Sequence, residues 1–229
     1  MPEQDHSLDI EPFIAQEPQP HLMGADGLAL AGAEIARRSH EYIDQLLHAE
    51  NLDINDKAII RRVIHSTADV SFARTMRIHP HAIERGRRAL AENKPVICDV
   101  NMVRAGMTRV DNEIICQIKA ASVMAFAKLN NTTRAAAAME LLRDKLEGSL
   151  VVVGNAPTAL FKLIEMTANG GPRPAVVIGL PVGFVGARES KLALMESGLC
   201  YITNTSCKGG SPVAAAAMNA LASLGKESR

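Results

Sequence analysis

The feature that most constrains the fold is a repeated order of short apolar run, polar or Gly-containing turn, and helical pattern. The apolar runs cover residues 96–100, 113–118, 150–153, 175–178 and 199–202. Nearly continuous apolar strands that alternate with helices are typical of a parallel sheet covered on both faces. The sequence therefore predicts an α/β fold: a three-layer αβα architecture with a mostly parallel, open sheet. Ligands of such sheets bind beyond the carboxyl ends of the strands.

The rest of the chain divides into an arm and a single domain. Residues 1–22 contain four prolines and few apolar side chains, which predicts a poorly ordered N-terminal arm. Residues 23–229 are expected to form one α/β domain. Before the first strand, apolar spacing predicts helices over residues 28–50, over a segment that begins at a cap on Asn55, and over residues 80–93. Asn131, Thr132 and Thr133 are candidate caps of an Ala-rich helix that is expected to end at Gly148.

Composition excludes several classes of partner. Lys+Arg and Asp+Glu number 25 each, so the formal net charge is zero, which argues against nucleic acid or an anionic membrane surface. No apolar run approaches the roughly 20 residues that span a bilayer, and the acidic N-terminus does not resemble a signal peptide. The four cysteines form no Cys-x-x-Cys pair, so no metal site is expected. These features predict a protein of the reducing cytoplasm.

The turns after three successive strands are rich in Gly, Asn and Ser. Backbone N–H groups at the start of a helix attract phosphate or carboxylate, and glycine lets a ligand approach the main chain. The same residues are also needed merely to connect strand and helix, so this reading stays open for any single turn. No P-loop and no Gly-x-Ser-x-Gly elbow is present, and 179–186 fits a dinucleotide turn poorly. Kinases, serine hydrolases and nicotinamide oxidoreductases are therefore disfavoured.

His65 is the histidine whose position is most informative. At 100° per residue it lies across its helix from Ile60 and Val63, outside the predicted core stripe. A solvated side chain is one explanation. The other is a proton donor to a bound substrate, because imidazole titrates near pH 6.5.

At this point the sequence resembles the precorrin-8X methylmutase (precorrin isomerase, or cobalt-precorrin-8 methylmutase) family. The resemblance extends over residues 28–224. Its most specific segments are 153–160, Val-Gly-Asn-Ala-Pro-Thr-Ala-Leu, and 179–191, Gly-Leu-Pro-Val-Gly-Phe-Val-Gly-Ala-Arg-Glu-Ser-Lys. Segments 38–39, 98–103, 106–109, 131–134 and 208–211 also fit.

The resemblance implies an isomerase of cobalamin biosynthesis. Family members move a methyl group from C11 to C12 of a corrin precursor, giving hydrogenobyrinate or cobyrinate, without a cofactor or an external methyl donor. They pair as homodimers. The catalytic histidine of the family corresponds to His65. The substrate-binding positions that the resemblance implies here are Ser39, Thr108, Arg109, Thr133, Arg134, Gly154, Asn155, Gly183, Phe184, Val185, Gly186, Gly209, Gly210 and Ser211. Arg109 and Arg134 suit the acetate and propionate carboxylates of the tetrapyrrole.

Two other functions stay open from the sequence. One is a tetrapyrrole-binding protein of the same fold that holds a corrinoid without converting it. The other is an unrelated α/β enzyme that acts on a phosphorylated or carboxylated metabolite. The sequence does not indicate whether the substrate already contains cobalt.

Overall fold

The computed structural model describes residues 32–48 and 52–226. Internal contacts divide the chain into two compact units, residues 1–41 and 42–229. In the first unit, the described residues form the first part of a helix on which Glu34 pairs with Arg37 and Arg38. The predicted arm, residues 1–22, and its boundary with the domain lie outside the described residues.

The described chain begins with helices and then alternates strands and helices, and it includes the five predicted strands. The helices are α1 (Gly32–Leu46), α2 (Ile54–Thr67), α3 (Phe72–Thr75), α4 (Ala82–Ala91), α5 (Asn101–Gly106), α6 (Ala121–Leu129), α7 (Arg134–Leu141), α8 (Pro157–Ala168), α9 (Ala187–Glu196) and α10 (Ser211–Lys226). The strands are β1 (Met76–Ile78), β2 (Val96–Cys98), β3 (Ile114–Ile115), β4 (Leu150–Val153), β5 (Val176–Gly179) and β6 (Tyr201–Asn204).

The six strands form one sheet in the order β1-β6-β5-β4-β2-β3. Every neighbouring pair is parallel except β1 and β6, which are antiparallel. The register opposes Val151 to Val177 and Ile178 to Ile202. The mostly parallel, open sheet that the sequence predicts is confirmed.

The two faces of the sheet bury separate apolar clusters, which confirms the three layers. Val152 and Ile178 face the cluster built with α2, α4, α5 and α10. Val151 and Val177, one residue earlier on each strand, face the cluster built with α7, α8 and α9. This alternation follows from the two-residue period of a strand, and it makes both faces apolar because both are covered.

Several predicted boundaries differ from the structure. The cap of α2 is Asp53, whose carboxylate accepts the N–H of Asn55, so Asn55 lies inside the helix. The Ala-rich helix ends at Leu141, and a 3-10 turn over Arg143–Lys145 continues to Gly148. Strand β1 and helices α3, α5 and α6 have too few residues or too irregular an apolar pattern to be predicted from periodicity.

Candidate active site

The carboxyl ends of the parallel strands form one edge of the sheet, called here the carboxyl edge. It consists of the segments that follow β2, β4, β5 and β6, namely 99–100, 154–156, 180–186 and 205–210. Because β1 runs antiparallel to β6, with Met76 opposite Asn204, the residues just before β1 also lie at this edge. The α2–β1 connection therefore belongs to the carboxyl edge.

The buried carboxylate of Asp99 organises the first half of the carboxyl edge. It accepts the backbone N–H groups of Gly154 at 3.1 Å, Asn155 at 2.8 Å and Ala156 at 2.7 Å. Burial raises the pKa of Asp99, and the three N–H donors oppose that shift. The sequence predicts that the N–H groups of Gly154 and Asn155 bind an anionic ligand. In the structure these N–H groups donate to the carboxylate of Asp99 instead. Asn155 can still offer its exposed side chain.

The β5–α9 loop presents apolar side chains to solvent. Phe184 is 95% exposed and Val185 is 89% exposed. Gly183 and Gly186 have positive φ angles of 151° and 75°, so they supply the backbone conformations that turn the chain between the strand and α9. Large exposed apolar residues at a ligand-binding edge mark a contact surface. The four substrate-binding positions predicted in this loop therefore lie together at the carboxyl edge.

The β6–α10 loop packs against the β5–α9 loop. The N–H of Gly210 donates to the carbonyl of Leu180 at 2.8 Å. Gly209 has a φ of 155°, and a Cβ at this position would collide with the Leu180 carbonyl oxygen. Ser211 begins α10, so the positive end of a 16-residue helix dipole lies at this edge. Gly209, Gly210 and Ser211 are therefore together, as the sequence predicts.

Thr133 brings the start of α7 to the start of α8. Its Oγ1 accepts the N–H of Ala136, so Thr133, one of the three candidates from the sequence, is the cap of α7. The same oxygen lies 2.7 Å from Oγ1 of Thr158, in the first turn of α8. Arg134, the next residue, is exposed. Both predicted residues therefore lie beside the β4–α8 turn of the carboxyl edge.

His65 lies near the end of α2, the helix whose connection to β1 belongs to the carboxyl edge. It lies in the last turn of that helix and is half-buried, whereas Val63 and Ile64 are buried, so it is off the core stripe as predicted. Burial, and then the charge of Arg62, lower the pKa of His65. Asp69, which follows the helix end, pairs with Lys208 of the β6–α10 loop at 2.8 Å. That ion pair fixes the end of α2 to the carboxyl edge.

Two predicted binding residues, Thr108 and Arg109, are not at the carboxyl edge. Thr108 and Arg109 lie in the α5–β3 connection, where the N–H of Arg109 donates to Asn219 at the middle of α10. Arg109 lines a depression with Leu90 and Asn93 just after α4, next to the amino end of β2. Ser39 belongs to the first compact unit and is half-buried on α1.

Three buried polar side chains at the carboxyl edge could not be identified as structurally important from the sequence. Asp99 and Lys191 are both fully buried, and Asn204 is buried at the end of β6. The sequence gives one weak indication, because Asp99 is a polar residue at the end of an apolar run. The burial of Lys191 depends on loops from other parts of the chain, so no local pattern reveals it.

The described residues contain neither a metal-binding cluster nor a membrane-spanning helix. Within residues 32–48 and 52–226, no group of three or more His, Cys, Asp or Glu side chains is arranged to hold a metal ion. Among the helices of those same ranges, none is long and apolar enough to cross a membrane.

Comparisons with known proteins agree on one family. The profile of the family CbiC, precorrin-8X methylmutase, matches residues 34–224. A precorrin-8X methylmutase of Pseudomonas aeruginosa is 43% identical over 197 residues, which are 83% of this chain and 95% of that protein. A cobalt-precorrin-8 methylmutase of Methanocaldococcus jannaschii is 38% identical over 213 residues, 90% of this chain and 100% of that protein.

A solved structure agrees with the sequence matches. The precorrin-8X methylmutase of Thermus thermophilus superimposes with a TM-score of 0.80 at 35% identity, over 86% of this chain and 98% of that one. The matched region includes all six strands and the whole carboxyl edge. This chain belongs to the precorrin-8X methylmutase family.

Proposed function

We propose that this protein moves a methyl group from C11 to C12 of a corrin-ring precursor in cobalamin biosynthesis. The product would be hydrogenobyrinate from precorrin-8X or cobyrinate from cobalt-precorrin-8. The observation that carries this proposal is the family match, which extends from the first turn of α1 to the end of α10. Relatives are named for the metal-free and for the cobalt-containing substrate, so both are tested below.

The carboxyl edge has the chemistry that such a substrate needs. The exposed Phe184 and Val185 offer apolar contact to a large macrocycle. Arg134 and the N-terminus of α10 offer positive charge to its peripheral carboxylates. A methyl shift within one molecule needs positioning and local electrostatics rather than a second reactant. We therefore expect the protein to need no cofactor.

His65 is the proposed proton donor. Its imidazole lies at the end of α2, which the Asp69–Lys208 ion pair holds at the carboxyl edge. Its lowered pKa makes the protonated form a stronger acid than free imidazolium. In the proposed mechanism it protonates, or donates a hydrogen bond to, a macrocycle nitrogen, which withdraws electron density from the ring and eases the shift.

The direct test follows conversion of metal-free and cobalt-loaded precursor by the spectral change to a corrin. Replacing His65 with Ala or Asn should lower turnover about 10²–10⁴-fold, the usual contribution of a positioned acid, while product binding is kept. His81→Ala is the matched control, because His81 is exposed at the start of α4. Wild-type turnover in the His65 variants would remove this residue from the mechanism. Product binding without conversion by the native protein would indicate a corrinoid carrier instead.

We also propose that the protein is a cytoplasmic homodimer that does not bind nucleic acid. Met102 and Leu129 are large apolar residues with at least two thirds of their surface exposed, which suits an interface between subunits. The four cysteines are free thiols, which suits a reducing compartment. Light scattering should give about twice the 24.5 kDa mass of the chain. A monomer mass throughout the micromolar range would contradict the dimer.

A further inference from the structure

Lys191 is a fully buried lysine whose ammonium group donates, among the described residues, to two neutral oxygens. Its Nζ donates to Oδ1 of Asn204 at 2.9 Å and to the carbonyl of Lys208 at 2.7 Å, both neutral acceptors. Burial lowers the pKa of Lys191 to about 8. Because removing an ammonium group from water is costly, a side chain that only filled this space would be more stable as an apolar residue of similar volume.

The two acceptors of Lys191 lie just before the β6–α10 loop and within its second half. Asn204 is the last residue of β6, and Lys208 stands directly before Gly209. The amide of Asn204 also donates to the Lys208 carbonyl at 3.1 Å, and its oxygen accepts the N–H of Ser206 at 3.0 Å. Lys191 therefore links Asn204 to Lys208 from inside the protein and fixes the position of the Lys208 backbone.

The side chain of Lys208 continues from this fixed point to the helix of His65. Its Nζ donates to Oδ2 of Asp69 at 2.8 Å and to Oγ of Ser71 at 3.0 Å. The other oxygen of Asp69 accepts the N–H and the hydroxyl of Ser71, at 3.0 and 2.6 Å, so the carboxylate is itself held. Asp69 is four residues after His65.

We propose that Lys191 and Lys208 are positioning residues for His65. Lys191 fixes the backbone of Lys208, and the Lys208–Asp69 ion pair then sets the distance between the end of α2 and the β6–α10 loop. In this arrangement the proton donor and the loop that binds the substrate form one unit. The inference deepens the proposed function, because it depends on the role of His65 as the acid.

The energetics explain why both lysines are needed. The Lys208–Asp69 pair is partly exposed, with 48% and 29% of the two side chains accessible, and an exposed ion pair contributes only about 0–1 kcal/mol. Such a pair holds a helix end in place only if its own backbone is rigid. The buried hydrogen bonds of Lys191 supply that rigidity. A misplacement of about 1 Å can lower a rate about 100-fold, so weak contacts can still control turnover.

The test compares variants of the full-length protein on authentic precursor. Lys208→Met removes the ion pair but keeps the carbonyl that Lys191 holds, and Lys208→Arg restores the charge. Lys191→Met removes the buried donor. Two controls accompany them: Lys162→Met, which removes a surface ion pair with Glu165 on α8, and Leu163→Ala, which destabilises the apolar cluster that α8 buries against the sheet.

We expect Lys208→Met and Lys191→Met to lower kcat about 10- to 100-fold with little change in KM, and Lys208→Arg to recover most of the loss. The double variant should be little worse than the worse single one, because both lysines act through the same contact. Lys162→Met should keep wild-type kinetics. Leu163→Ala should lose stability without losing kcat, which separates positioning from destabilisation.

Three results would overturn the proposal. The first is wild-type kcat in Lys208→Met, which decides the matter even if Lys191→Met fails to fold. The second is a raised KM with unchanged kcat, which would make Lys208 a direct substrate contact. The third is full additivity of the two lysine changes. His65→Ala is measured in parallel, so that its wild-type turnover would refute the acid role separately from the lysine results.

Discussion

The carboxylate of Asp99 illustrates how one buried residue shapes the carboxyl edge. It receives three backbone N–H donors from the turn after β4, so it fixes the start of α8 relative to β2. Asp99→Asn should lower the free energy of unfolding by about 1.5–3 kcal/mol, because a neutral amide accepts these bonds less strongly and its own N–H₂ opposes them. Urea denaturation measures the change, with the exposed Asp144→Asn as the control. Equal stability of the two variants would contradict this role.

The pH dependence of the reaction belongs to His65. Burial first, and then the charge of Arg62, lower the pKa of His65 in the free protein. The protonated acid is fully present below that pKa and is lost as pH rises through it, so kcat/KM should fall with rising pH, with a midpoint lower than that of an ordinary histidine. Arg62→Gln removes a repelling charge and should move the midpoint to higher pH. An activity that rises with pH over this range would mean that His65 acts as a base.

Among the elements, the β6–α10 loop depends most on glycine. Gly209 combines a φ of 155° with close contact to the Leu180 carbonyl. Gly209→Ala should therefore lower the free energy of unfolding by about 1–3 kcal/mol through backbone strain, and it should displace the loop. Product binding should weaken as well, because α10 begins two residues later. Gly225→Ala on α10 is the control, since a Cβ there meets no atom closer than 4.0 Å. Denaturation and a binding titration would show the difference, and equal effects of the two changes would refute it.

The strands and the loops differ in how far the sequence determined them. Strands such as Leu150–Val153 could be predicted because a strand covered on both faces must be apolar throughout. Strand β1 could not, because the three residues Met76–Ile78 form a strand only by pairing with β6. Likewise, the Gly and Asn residues after β4 predicted a turn that binds an anion. That anion is Asp99, which is 55 residues away from Gly154 in the sequence. The contact depends on tertiary structure, so no local pattern could predict it.

For the molecule as a whole, a net charge of zero means that recognition of a polyanionic substrate must come from local groups. The fold provides this by gathering strand ends and helix starts at one edge. Arg134 is exposed there beside the β4–α8 turn, whereas Arg109 lies near the end of α4. The same chain therefore places only one of the two predicted carboxylate-binding arginines at its own carboxyl edge.

This difference in placement leads to a prediction for ligand binding. Arg134→Leu should weaken binding of the carboxylated corrin by about 1.5–3 kcal/mol, which is the value of a hydrogen bond to a charged group, and amidation of the ligand should have a similar effect. Affinity should also fall as salt is added, because Arg134 is exposed and its attraction to carboxylates is screened. Arg143→Leu is the matched control, because Arg143 pairs with Glu140 on α7. Titration calorimetry at two salt concentrations measures both effects. Unchanged affinity for the Arg134 variant and for the amidated ligand would show that carboxylates are not recognised at this position.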